Sequence, residues 1–282
     1  MQAAAFAAKW RAAAIARQQW IFSSGKLAFP DATMVAARRL LQYQDRSIIR
    51  SSPFSMKGPG RVATAVSDSS PVAREAMIEC QLKPCGVTSP RVAAAFHAIA
   101  REPFVTPDRR RIAYVDAPQP VASGRELLAP LSLGYLLQMA EITGNDRVLI
   151  VGTATGYSSA VVAELAGAVV ALECDADLAA AARRNLESVP NIRVVEGPLD
   201  AGWAEAAPYD VILMDGAIEF LPPLFADQLC DGGRLLTILS GEDGVGRAAR
   251  GIKHGGLLTL EPFVESPARI LPAFEKPMRF QF

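Results

Sequence analysis

The chain has 282 residues, enough for one large domain or two small ones with an ample core. Half of the residues are hydrophobic, 21% are charged and the formal net charge is zero, so no global field points to nucleic acid or to a membrane surface. No apolar run approaches the ~20 residues of a membrane helix, no C-x-x-C pair marks a zinc site, and neither His97 nor His254 lies in a nucleophile context, which argues against hydrolase chemistry.

Residues 1–72 differ from the rest. Met1 to Phe29 is rich in Ala, Arg and Gln and contains no acid, the composition of a basic amphipathic or organelle-targeting segment. Ser51-Ser52-Pro53 to Ser69-Ser70-Pro71 reads as linker. The expectation is a poorly ordered or targeting extension without a catalytic role. Pro71 to Leu82 has helical spacing, with Ala76, Met77 and Cys80 on one face. Thr88 or Ser89 is placed to cap a second helix, Arg91 to Ala100, with Pro90 at its first position. An irregular Pro-rich stretch follows to Gly124, then a long helical region from Leu127 to Ile142. The four cysteines (Cys80, Cys85, Cys174 and Cys230) are expected as free thiols, buried or inert, in a reducing compartment.

From Arg147 the pattern changes to strands alternating with helices. Val148 to Val151 is a strand apolar on both faces, Gly152-Thr153-Ala154-Thr155-Gly156 a tight loop, and Tyr157 to Leu165 a helix stopped by Gly167. Ala168 to Leu172 is a second strand with Glu173 at its carboxyl end, where a carboxylate can accept hydrogen bonds from ribose hydroxyls. The chain continues with a helix at 176–187 and a strand at 192–195. A strand then runs from Tyr209 to Met214 with Asp215 at its end, followed by a helix from Phe220 to Cys230 and a strand from Arg234 to Leu239. Gly255 to Val264 and Arg279 to Phe282 look like closing, antiparallel strands. This order implies a doubly wound, mostly parallel α/β sheet.

The loop spacing, Gly152, Ala154 and Gly156 with Tyr157 where a dinucleotide fingerprint has its third glycine, fits an S-adenosylmethionine (SAM) loop better than an NAD loop. A βαβ unit with no ligand is the plainer alternative.

The residues from about Arg74 onward resemble protein-L-isoaspartate O-methyltransferases. The resemblance is carried by Arg74, Met77, Gln81-Leu82-Lys83, Gly86-Val87, Arg101-Glu102-Pro103-Phe104-Val105 and Ala113-Tyr114-x-Asp116. In the core it rests on Val148-Leu149, Gly152-x-x-x-Gly156-Tyr157-Ser158, Ala207-Pro208-Tyr209-Asp210-Val211-Ile212 and Gln228-Leu229-x-x-Gly232-Gly233-Arg234-Leu235. The resemblance implies a seven-stranded, Rossmann-like SAM methyltransferase core over 146–282, preceded by a helical N-terminal subdomain over 73–145 that carries the substrate loop. It implies SAM as cofactor and damaged, isoaspartyl proteins or peptides as substrate, for repair. From the cysteine spacing, the zero net charge and the lack of a long apolar run, no metal, nucleic-acid or membrane partner is expected; a monomer is expected, in the cytoplasm, or in an organelle matrix if the basic N-terminus is a transit peptide. The residues the resemblance assigns to the cofactor are Gly152, Thr153, Gly156, Tyr157, Glu173 and Leu199.

The departures from the family bear on activity. Ile150 stands where the family has an acid, Ala154 replaces the middle loop glycine, Pro198 replaces an aspartate, and Leu128 replaces the active-site serine. A leucine offers no hydrogen bond to a carboxylate, so Ser123 and Arg125 are the candidates to take over beside Asp215. The alternative to a repair enzyme is a degenerate relative that binds SAM or a partner, or methylates another acceptor. An RNA methyltransferase is a weaker reading, because no basic or stacking motif is visible.

Overall fold

The computed structural model describes residues 70–122 and 124–276. The chain divides into units at 1–63 and 64–282, and every described residue belongs to the second. The expectations for the N-terminal extension up to residue 69, for Ser123 and for a strand at Arg279–Phe282 lie outside the described residues.

The described residues form nine strands and six α-helices: α1 (Ser70–Met77), α2 (Pro90–Ala98), β1 (Gln119–Pro120), β2 (Glu126–Leu127), α3 (Pro130–Ala140), β3 (Arg147–Val151), α4 (Tyr157–Ala163), β4 (Ala168–Glu173), α5 (Ala176–Asn185), β5 (Ile192–Glu196), β6 (Tyr209–Ile218), α6 (Leu224–Gln228), β7 (Leu229–Ser240), β8 (Gly246–His254) and β9 (Leu257–Glu265). The main sheet has seven strands in the order β5-β4-β3-β6-β7-β8-β9; the first five are parallel and β8 and β9 antiparallel. The doubly wound, mostly parallel architecture is therefore as the sequence predicts.

The apolar strand runs exist because both faces of the sheet are covered. Along β3, Val148 and Ile150 join one core cluster while Leu149 and Val151 join the other. Successive side chains on a strand point to opposite faces, so an unbroken apolar run is what a doubly covered strand requires. The first cluster also takes Met77, Phe96, Leu136 and Val161 from α1 to α4, so the N-terminal helices share the sheet's core. Ile150, the position of the missing acid, is fully buried in that cluster.

Helix starts follow local chemistry. The Ser89 hydroxyl accepts from the Val92 amide with Pro90 at the first position. The Asp175 carboxylate accepts from the amides of Asp177 and Leu178 to open α5.

Several boundaries differ from expectation. The π-turn Ile78–Leu82 continues α1 and rotates its register, so Met77, Ile78 and Leu82 are buried while Ala76 and Cys80 are exposed. The helix expected from Leu127 begins at Pro130, since residues 126–127 pair with 119–120 as a small hairpin. The helix expected at Phe220 is only Leu224–Gln228, because Pro222 and Pro223 delay its start. The strand β8 pairs with β7 and β9 where no strand was expected. Cys80, Cys85 and Cys174 are exposed rather than buried, and Cys230 is half-buried; all four are free.

The sheet order reverses at β3: β4 and β5 extend to one side, β6 and β7 to the other. In open α/β sheets such a switch point leaves a crevice beyond the strands' carboxyl ends. The loop after β3, the end of β4 and the outer part of β6 meet there.

Candidate cofactor crevice

The loop Gly152–Gly156 is shaped by its backbone. Gly152 has φ +83 and Gly156 φ +100, both in the left-handed region that glycine tolerates. Ala154 is also left-handed, at φ +51, and fully buried. Its strained backbone aims an N–H at Glu173 Oε2, 2.7 Å away. Glu173 is completely buried, and its Oε1 accepts from the amides of Cys174 (2.9 Å) and Asp175 (3.2 Å). A carboxylate so fixed at a strand end, facing a glycine loop, has the chemistry that grips a ribose, and the donor set fits an adenosyl group in that respect.

That space is already filled from within. Arg125, 6% exposed, donates from Nη1 to Glu173 Oε1 and from Nη2 to the Gly152 carbonyl, each at 2.8 Å. Arg125 is expected from the sequence as an acceptor-carboxylate ligand; in the structure its partner is the protein's own Glu173. Leu271 arrives from the other side. The segment around Arg269–Phe274 runs along β6 beyond the end of β3, with Ala217 N donating to Arg269 O and Leu271 N to Ala217 O. It drops Leu271 onto the two glycines: a Cβ at Gly152 would lie 2.8 Å from both Arg125 Nη2 and Leu271 Cδ2, and one at Gly216 would lie 2.7 Å from Leu271. The cavity that remains, lined by Arg125, Leu128, Asp215 and Arg269 among others, is about 10 Å³, room for about one water.

Asp215 sits one residue beyond the last β3–β6 pair and inside β6, not at its end, because an irregularity between Leu213 and Ala217 shifts the register with β7. The bulge turns its carboxyl toward the crevice. It is 3% exposed; Oδ2 accepts from the Ser158 hydroxyl, while Oδ1 has no hydrogen-bond partner. Burial pushes its pKa up to about 6, opposed by the Ser158 bond and by the charges of Arg125 and Arg101.

The remaining sequence-named residues are distributed unevenly. Thr153 is buried with its hydroxyl bonded to Ser159 at 2.6 Å, so it ties the loop to α4. Tyr157 lies beneath the loop, its ring against Phe104 and under the guanidinium of Arg101, with 4.4 Å from Cζ to the ring centroid. Leu199 is 1% exposed and packed in the second core cluster. Leu128 is 2% exposed and lines the small cavity. Sequence reasoning assigned no site role to Arg101, which is fully buried and donates to the Leu128 carbonyl at 2.6 Å, although the motif that contains it was visible. It also passed over Leu271, which no local pattern marks.

A family model for protein-L-isoaspartate(D-aspartate) O-methyltransferase matches residues 73–249, from within α1 through the hairpin, the loop, Glu173 and Asp215. The chain belongs to this family. A protein-L-isoaspartate O-methyltransferase from Methanoculleus marisnigri is 40% identical over 166 residues, 58% of this chain and 76% of the relative. One from Koribacter versatilis is 40% identical over 165 residues, 58% and 74% respectively. A solved protein-L-isoaspartate O-methyltransferase superposes with a TM-score of 0.63 at 26% identity, over 71% of this chain and 66% of that one. A Plasmodium falciparum structure bound to S-adenosyl-L-homocysteine shares the fold, with a TM-score of 0.61 at 19% identity over 70% of this chain and 97% of that one. No helix among the described residues of this isoaspartyl-methyltransferase relative is long and apolar enough to cross a membrane, and no cluster of metal-ligating side chains occurs among them.

Proposed function

We propose that the protein is a SAM-dependent carboxyl O-methyltransferase that esterifies the side-chain or α-carboxylate left by aspartate damage in proteins, as a step in repair. The observation that carries this reading is the family match over residues 73–249, with the buried carboxylate of Glu173 at the end of β4 facing the Gly152–Gly156 loop. Identity of 40% to named methyltransferases over the same stretch favours turnover over a relative that only binds. SAM, when bound, supplies an electrophilic methyl group on a sulfonium.

The chain's own residues have a modest task. Glu173 holds the ribose hydroxyls, and Gly152 and Gly156 let the backbone come close. Positioning a nucleophile that is already anionic accounts for on the order of 7–11 kcal/mol of barrier lowering in favourable cases. With Leu128 in the serine position and Arg125 bonded to Glu173, Arg269 is the donor at the small cavity that orients the acceptor carboxylate. A freely soluble damaged protein as substrate suits a monomer in the cytoplasm.

The test is transfer of labelled methyl from SAM to an isoaspartyl peptide, with the matching aspartyl peptide as control. Base-labile label on the isoaspartyl peptide alone is the expected result. Equal background on both peptides would reject the assignment.

A further inference from the structure

Arg125 is bonded to the acid that a ribose would use. Its two N–H donors, to Glu173 Oε1 and to the Gly152 carbonyl, present to the loop what two ligand hydroxyls would present. Both partners are desolvated, with side-chain exposures of 5% and 0%. The guanidinium and a ribose are therefore mutually exclusive at Glu173. The cavity beside Arg125, bounded by Leu128, Asp215 and Leu271, is about 10 Å³, far too small for a nucleoside.

We propose that Arg125 is a built-in competitor for the cofactor, a plug carried on the hairpin β1–β2 that must leave Glu173 before SAM can bind. The inference rests on the SAM reading above. Three observations beyond the ion pair support it. Arg125 lies in the turn of a hairpin closed by its own bonds, from Val121 N to Arg125 O and from Arg125 N to Ala122 O, so its side chain can swing off Glu173 while the pairing of β1 with β2 and the buried Leu127 stay in place. The Glu126 side chain accepts from the Arg269 backbone N–H at 2.9 Å, which ties the hairpin to the segment bearing Leu271. Leu271 fills the other half of the same space, against Gly152 and Gly216. Hairpin and C-terminal segment thus close the crevice as one latched cover.

A ligand that binds only the open form has its apparent affinity reduced by the fraction open. Removing the guanidinium raises that fraction. The experiment is calorimetric titration of the full chain and of R125M and R125K with S-adenosyl-L-homocysteine, which carries the ribose and does not turn over. Methionine keeps much of the apolar volume without the charge; lysine keeps the charge but has a single ammonium. R125M is expected to bind at least tenfold more tightly than the wild type, with R125K between them. Binding by R125M equal to or weaker than wild type overturns the plug, and leaves the proposed function standing if the wild type binds or transfers methyl. A silent wild type with a binding R125M upholds the plug. No binding by any of the three overturns both readings. If melting shows R125M unfolded, R125K decides: affinity no higher than wild type rejects the proposal.

Discussion

Glu173→Gln isolates the interaction on which the crevice depends. The native carboxylate spends Oε1 on Arg125 and the amides of Cys174 and Asp175, and Oε2 on the amide of Ala154. A glutamine has one acceptor oxygen and one NH₂. Its carbonyl takes the Oε1 place, where the guanidinium, two amides and the Cys174 thiol converge, so the NH₂ faces the Ala154 N–H and the buried Arg125 loses its counter-charge. Breaking a buried ion pair by removing one partner costs about 3–5 kcal/mol, most of it the stranded charge. For a folded unit of this size that lowers the melting temperature by roughly 6–20 °C at about 2–4 °C per kcal/mol. Arg125→Met is expected to cost less, because the carboxylate it leaves behind still accepts three backbone N–H groups. The double variant removes the stranded charge and should melt above E173Q alone. Scanning calorimetry on the four proteins reads this cycle. An E173Q melting point within about 2 °C of wild type, or a double variant destabilised by the sum of the singles, would show that the pair is not the electrostatic unit described here.

Asp215 gives a pH signature. Its folded pKa of about 6 lies above the ordinary 3.8, so the folded state holds the extra proton. The stabilisation this provides is full below pH 4 and is lost as pH rises through about 6. Chemical denaturation of wild type and D215N across pH 4–7 should show their stability difference moving against the wild type by up to about 3 kcal/mol, at about 1.4 kcal/mol per pKa unit; a difference independent of pH contradicts the buried, protonatable carboxyl. Leu271→Ala removes the 3%-exposed side chain that packs on Gly152 and Gly216, and urea unfolding should report a loss of about 2–5 kcal/mol. A loss below about 1 kcal/mol would mean that the segment is not seated as described. Gly152→Ala places a Cβ 2.8 Å from two side chains at φ +83. It should cost at least about 1–3 kcal/mol in melting experiments and weaken nucleoside binding, and a neutral result would remove the case for a close backbone approach there.

The sequence by itself determined the βαβ unit, the alternation of strands and helices, the family and the acid at the end of β4, because apolar period, tight-turn glycines and strand-end carboxylates are local signals. Its errors were also local in cause: a π-turn that rotated α1, a hairpin that delayed α3, prolines that delayed α6, and a bulge that carried β6 past Asp215. Only the tertiary structure decided what occupies the crevice. Arg125 and Glu173 are 48 residues apart and Leu271 lies farther on, so no spacing rule brings them together. Their meeting depends on how a short hairpin and a C-terminal segment fold back over the switch point. Once buried there, Arg125 satisfies its charge with the carboxylate that the fold places within reach.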